Sequence, residues 1–261
     1  MRKFFIILVL FFSFKVQAQM TCGNGTRPIG HWHLNENAGT TTVDASGNGA
    51  IGTLSGPPIW LTGRWGSGLS FIGGIGARVV TTDVAKETNF DFTIDDDFYM
   101  LFTYRPLASR TSKPILSKAA TTSAQGWRVI QQTQGFLAFQ VTTVNGVSEC
   151  LNGFAGLGNI PAGLNDGKYH LVQAGWHNTG VCSTSARIFI DTFTADSDAS
   201  VTFPIGITND VSFDIGGDSG GGTGADIDEV IVCRGLLTDE LQQSNLRAWH
   251  GLTNNFADED Q

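Results

Sequence analysis

Short stretches of alternating or wholly apolar residues recur along this chain, and each is cut off by a cluster of Gly, Asn, Asp, Ser or Thr. The stretches are Ile29–Leu34, Leu69–Phe71, Ala77–Thr81, Phe98–Arg105, Ile115–Lys118, Trp127–Gln131, Phe136–Thr142, Tyr169–Trp176, Ala186–Ile190, Val211–Ile215 and Asp226–Cys233. Each is strand-length, and the breakers between them, drawn partly from 33 glycines, suit turns and not helix interiors. This punctuation predicts an all-β sandwich. One segment departs from it. Asp239–Trp249 reads as a helix, with Thr238 as its cap and Asp239 and Glu240 in its first turn. No internal repeat or proline-rich linker divides the chain, so one domain is expected over residues 19–256, with a polar tail at 257–261.

Residues 1–18 read as a secretory signal peptide. Arg2 and Lys3 supply the positive end, Phe4 to Phe14 is apolar apart from Ser13, and Val16-Gln17-Ala18 fits small-x-small cleavage. That run falls short of the roughly 20 residues that span a bilayer, and no comparable run follows. An exported product without a membrane span is expected, secreted or periplasmic. The formal net charge is −8, and removing the leader, which holds three cations and no acid, makes the chain more acidic still. Charge of that sign repels phosphate backbones, so nucleic acid is not expected as a partner. Four cysteines in an exported chain, Cys22, Cys150, Cys182 and Cys233, suggest two disulfides, with three connectivities open.

Several motifs suggest chemistry. The string GDSGG, Gly217 to Gly221, surrounds the nucleophile of many trypsin-like proteases. None of the five histidines lies in the Ala-Ala-His-Cys setting such enzymes use, and Gly222 replaces the usual following proline. A Gly-rich loop between two strands is the better reading. No Lys follows the glycines, so a phosphate-cradling loop has no support either. Next comes ADIDEV, with Asp226, Asp228 and Glu229 on one strand. Paired carboxylates about 5–10 Å apart can run glycosidic acid–base chemistry. By simple alternation, Asp226 and Asp228 share one face with Val230 and Val232, and Glu229 shares the other with Ile227, Ile231 and Cys233. A carboxylate held near apolar neighbours needs a cation or donors, so an ion-pair or structural-cation role is favoured over catalysis. DASGNG, Asp44 to Gly49, opens like an EF-hand loop, but Ser55 stands where a bidentate Glu is required. It is a turn rich in side-chain-to-backbone bonds, or a donor of the Asp44 and Asn48 oxygens to a calcium completed elsewhere. GHWHL places His31 and His33 on one face of a strand, where they bind zinc only if a third ligand arrives; exposed polar residues opposite Trp32 and Leu34 are favoured.

Taken in order, GHWHLNENAGTTTVDASGNGAIGTL at 30–54, WLTGRWGSGLSF at 60–71, DFYMLFTYRP at 97–106, GWRVIQ at 126–131, LNDGKYHLVQAGW at 164–176, ARIFID at 186–191 and DIGGDSGGGTGADIDEVIVCRGLLTDEL at 214–241 resemble the laminin G-like domains of the concanavalin A-like lectin and glucanase superfamily. The resemblance implies a jelly roll of two curved antiparallel sheets, with its first and last strands adjacent. It implies disulfides Cys22–Cys233 and Cys150–Cys182, and it carries a structural calcium over to Asp44, Asn48 and Asp228. The His31/His33 strand and the long 143–166 segment depart from the family pattern.

The function expected is a non-catalytic recognition module, a lectin that binds carbohydrate or a surface glycan. The alternatives are a glycoside hydrolase or polysaccharide lyase using Asp226, Asp228 or Glu229, and a protein-binding adhesion or structural domain.

Overall fold

The computed structural model describes residues 20–72, 76–81, 90–107, 113–120, 124–131, 137–142, 149–153, 166–179, 185–194, 207–218 and 220–251. The expected leader, Cys182, Ser219 and the polar tail lie outside them. In chain order the strands are β1 (Gly30–Trp32), β2 (Thr41–Thr42), β3 (Gly52–Ser55), β4 (Ile59–Thr62), β5 (Ser67–Phe71), β6 (Arg78–Thr81), β7 (Phe98–Pro106), β8 (Lys113–Lys118) and β9 (Gly126–Gln131). Then come β10 (Leu137–Thr142), β11 (Glu149–Gly153), β12 (His170–Trp176), β13 (Ala186–Ile190), β14 (Phe193–Thr194), β15 (Phe213–Ile215), β16 (Gly217–Asp218), β17 (Gly221–Gly222) and β18 (Ala225–Arg234). Helix α1 (Asp239–Trp249) follows.

Two antiparallel sheets form a sandwich. The first runs β14-β13-β12-β7-β18-β5-β4, with β1 also paired to β18; the second runs β11-β10-β9-β8-β15-β6-β3-β2. Every stretch expected to be a strand contains one. The extra strands are short or Gly- and Ser-rich, such as Gly52–Ser55 and Gly217–Asp218, where intrinsic preference is weak and a partner strand decides.

The inner faces share one core. Trp32, Phe98, Phe102, Val230 and Val232 of the first sheet meet Trp127, Phe139 and Phe213 of the second, all essentially without solvent exposure. Phe92 stacks on Phe98 at a centroid distance of 4.0 Å, and the Trp32 indole N–H donates to the Ala50 carbonyl at 2.8 Å, so this buried polar group is satisfied.

A second, smaller cluster lies on the outer face of the first sheet. Tyr99, Leu101, Leu171, Ile231 and Cys233 are covered there by Met20, Cys22, Leu237, Leu246 and Trp249. The cover is therefore α1 plus the chain's first described residues. The Thr238 hydroxyl caps α1 by accepting from the Leu241 N–H at 3.2 Å, and Asp239 and Glu240 stand at the positive end of its dipole. Gly30↔Val232 and Trp32↔Val230 pair β1 with β18, and a disulfide joins Cys22 to Cys233 with Cα atoms 5.7 Å apart. Cys150 lies on β11, and its expected partner Cys182 is outside the described residues.

Candidate functional site

Strand β18 carries the acids, and its pairing with β7 is irregular. Asp228 stands opposite Thr103 and Ile231 opposite Leu101, so Glu229 and Val230 together face only Phe102. That is a β-bulge. Glu229 occupies it with φ of +54°, a left-handed conformation that costs a non-glycine residue about 1–2 kcal/mol. The bulge corrects the face assignment drawn from alternation. Ala225, Ile227, Val230 and Val232 all enter the inter-sheet core, while Ile231 and Cys233 belong to the outer cluster. One extra residue shifts the phase between 228 and 231, so Asp226, Asp228 and Glu229 all turn to the outer face.

The three acids then have separate surroundings. Asp226 is 1% exposed, and its Oδ2 accepts from Arg105 Nε at 2.8 Å and lies 2.6 Å from Nη2. Arg105 in turn lies over the Tyr169 ring at 4.8 Å, and burial raises the Tyr169 phenol far above its ordinary range. Asp228 is fully buried, and its Oδ2 accepts from the Trp65 N–H at 2.9 Å. Burial pushes its carboxyl up to about 7, against the opposing pull of that backbone donor. Glu229, 5% exposed, meets two imidazoles. His31 Nε2 lies 2.6 Å from Oε1, and His33 Nδ1 lies 3.1 Å from Oε1 and 2.9 Å from Oε2. Burial alone would raise the Glu229 carboxyl; the bonds from His31 and His33 outweigh it and hold it at about 2. An ionised carboxylate only accepts, so both imidazole nitrogens are donors here. The bond to Glu229 raises His33, against a smaller opposing effect of burial.

The Asp44 turn sits on the other side of β1. Asp44 bridges Trp32, its Oδ1 accepts from the His31 and Ser46 N–H groups at 3.0 and 2.9 Å, and its Oδ2 accepts from Ala50 N–H at 3.0 Å. Asn48 donates its amide to the Pro28 and Ile29 carbonyls. Asp44 and Asn48 therefore fasten one turn to the start of β1, whereas Asp228 binds the backbone before β5. Among the described residues, the one grouping of His, Cys, Asp and Glu able to share a metal ion is His31, His33 and Glu229, whose ligand atoms lie within 4.8 Å of one another. His-x-His offered two of them, but as exposed residues; His31 is instead 6% exposed and bonded to Glu229. The third lies 198 residues from His31, and no spacing rule reaches it.

Of the GDSGG string, Gly217–Asp218 pairs antiparallel with Gly221–Gly222 as β16 and β17, and Asp218 pairs with Lys113 at 3.1 Å. Four of the five histidines are engaged elsewhere: His31 and His33 with Glu229, His170 with Asp191 and His177 with Asp97.

Glu229 and His33 also line a pocket of about 790 Å³, together with Met20, Asn35, Trp65 and Ser67. Two chain segments wall it, 33–37 and 61–67, and they are stitched together. Asn35 Oδ1 accepts from Ser67 N–H at 2.8 Å, and Ser67 Oγ donates to the Leu34 carbonyl at 3.0 Å. Gly66, at φ +87°, admits this contact, since a Cβ there would stand 2.3 Å from Asn35 Oδ1. Leu34 and Asn37 also take positive φ, at 54° and 58°. Trp65 packs edge-on against Trp249 at 5.2 Å, and the Arg64 guanidinium lies over Trp249 at 4.8 Å, so the last residue of α1 braces the wall. The walls are held by internal bonds, which makes the pocket preformed.

Solved structures with this architecture exist. The binding domain of Paraclostridial Mosquitocidal Protein 1 superposes with a TM-score of 0.63 at 12% identity, and that of botulinum neurotoxin serotype D/C VPI 5993 with 0.63 at 15%. The binding domain of Botulinum Neurotoxin DC in complex with SialylT superposes with 0.60 at 14%. Each match covers 85% of this chain and 52% of the other, so the chain spans about half the length of these structures. Identity this low speaks to fold alone: a two-sheet β-sandwich. No family model matches the sequence, and no curated protein does. No helix among the described residues is long and apolar enough to cross a membrane.

Proposed function

We propose that this chain is a non-catalytic recognition module that binds carbohydrate in the pocket between segments 33–37 and 61–67. The observation that carries the reading is the pocket's chemistry. One indole, Trp65, stands beside Asn35, Asn37, Thr62, Ser67 and Glu229. A sugar ring offers an apolar C–H face to an aromatic surface and hydroxyls to amides, hydroxyls and carboxylates, the mixture that gives small-ligand sites their orientation and specificity. The neighbouring folds add support of a general kind: they are binding domains, and one is in complex with SialylT. The laminin G-like resemblance of the sequence points the same way.

Hydrolysis by a carboxylate pair has less behind it. Glycosidic cleavage needs two carboxyl groups flanking one bond. Glu229 is the acid that lines the pocket; Asp228 is buried against the Trp65 backbone, and Asp226 against Arg105. Export through the leader fits a surface glycan as the partner.

The test is affinity electrophoresis of the full chain through gels cast with a panel of polysaccharides, alongside a glycan array. Retention by at least one glycan, lost in Trp65→Ala with unchanged circular dichroism, is the expected result. Absence of retention throughout the panel and array, or reducing-sugar release that Glu229→Gln abolishes, would overturn the proposal.

A further inference from the structure

From the convergence of His31, His33 and Glu229 we infer a zinc site at the inner end of this pocket, with the Glu229 bulge as the device that completes it. The inference stands apart from sugar binding and survives if no glycan is bound.

Alternation along β1 and the residue after it puts His31 and His33 on one face, and their rings lie 4.1 Å apart between centroids. Pairing with β18 in the register His31↔Ile231 sets both beside the outer side of the bulge. On a regular strand the residue at 229 would turn away from the face that holds Asp228. The left-handed backbone at Glu229 turns it back, so one carboxylate meets both imidazoles. Two imidazoles and one carboxylate are the donor set of open zinc sites, where three protein ligands leave the fourth position free. Calcium calls for six to eight oxygens and is a poor match to two nitrogens. Imidazole is a good ligand for zinc.

The distances can accommodate the ion. A tetrahedral zinc with bonds of about 2.0–2.1 Å holds its ligand atoms roughly 3.3 Å apart. Glu229 Oε1 is 2.6 Å from His31 Nε2, and Oε2 is 2.9 Å from His33 Nδ1. All three ligand atoms lie within 4.8 Å of one another, so side-chain adjustments on the order of 1 Å bring them to that spacing. Each imidazole then shifts its proton to the other ring nitrogen and presents a lone pair to the metal. Because His33 and Glu229 line the pocket while His31 is 6% exposed, the free coordination position opens into the pocket, where water or a ligand oxygen would take it.

The test uses the full chain without a polyhistidine tag, stripped with chelator and dialysed against zinc alone, with bound metal counted by elemental analysis and affinity measured by calorimetry. About one zinc per chain is expected. His33→Ala is the decisive variant, because the His33 side chain is 40% exposed and His31 still bonds Glu229, so the metal-free protein should keep its circular dichroism with only a modest fall in unfolding midpoint. Its zinc affinity should fall by at least about tenfold, as should that of Glu229→Gln. Cobalt substitution should give a visible absorption band in the wild type that His33→Ala loses. Wild-type protein that holds no stoichiometric zinc, or His33→Ala protein that binds it as tightly as wild type, would overturn the assignment.

Discussion

Replacing both Cys22 and Cys233 by alanine measures how firmly the two ends of the domain are tied. The bridge spans 211 residues of sequence. On the chain-entropy account, closing a loop of that length removes freedom from the unfolded chain equivalent to about 5 kcal/mol. Both residues are buried in the cluster beneath α1, so losing two sulfur atoms there adds about 1–2 kcal/mol of lost packing. The native fold keeps other links between the ends, the β1–β18 pairing and the Thr21 N–H bond to Asn245 Oδ1 among them, so the double variant should still fold. For a domain of this size each kcal/mol moves the midpoint by about 2–4 °C, so the total of about 6–7 kcal/mol predicts a fall of roughly 12–28 °C. Scanning calorimetry of both proteins under non-reducing conditions is the assay, with peptide mapping to establish the Cys22–Cys233 link in the wild type. A reversible fall of less than about 5 °C would refute the reasoning, since the unfolded chain would then gain little freedom when the link is cut. Met20, two residues from Cys22, lines the pocket, so the variant should also bind more weakly whatever ligand the wild type retains.

Three further outcomes follow from particular contacts. Arg105→Ala leaves the carboxylate of Asp226 buried and uncompensated, and should lower stability in urea by about 3 kcal/mol; adding Asp226→Asn should restore most of the loss, and no restoration would separate the two residues energetically. Gly216→Ala should lower stability by about 2–5 kcal/mol, because φ there is +84° and the new Cβ would stand 2.1 Å from Phe71 Cδ1; a near-neutral variant would show that the approach to the GDSGG hairpin is looser than it looks. The structural calcium that the resemblance carries to Asp44, Asn48 and Asp228 would have to join two turns that these residues hold separately; it predicts a higher midpoint when calcium is restored to chelator-treated protein, and an unchanged midpoint with no calcium found by elemental analysis removes it.

Much of the fold was legible because it rests on local preference. Runs such as Phe98–Pro106 and His170–Trp176 are apolar and bounded by polar turns, and they became the central strands of the first sheet. Thr238 and the two acids after it marked the start of α1, since capping is a matter of adjacent residues. The strands that went unread, such as Thr41–Thr42 and Gly221–Gly222, have little preference of their own and exist through their partners. The tryptophans also needed tertiary information. Trp32, Trp127 and Trp176 fill the inter-sheet core, while Trp65 and Trp249 meet at the pocket wall, and all five are the same residue type in similar-looking sequence.

From its amino acids alone, then, the chain determined an all-β sandwich closed by one helix, because alternation, glycine-rich turns and capping act over a few residues. Tertiary structure decided where the acids point and what they meet. A single extra residue at the Glu229 bulge reversed the parity on which any face assignment depends, and no local pattern announces such an insertion. The meeting of His31, His33 and Glu229 likewise required β1 and β18, from opposite ends of the chain, to pair in one register. Convergence of that kind arises from long-range strand pairing and core packing, which emerge only when the whole polypeptide has folded.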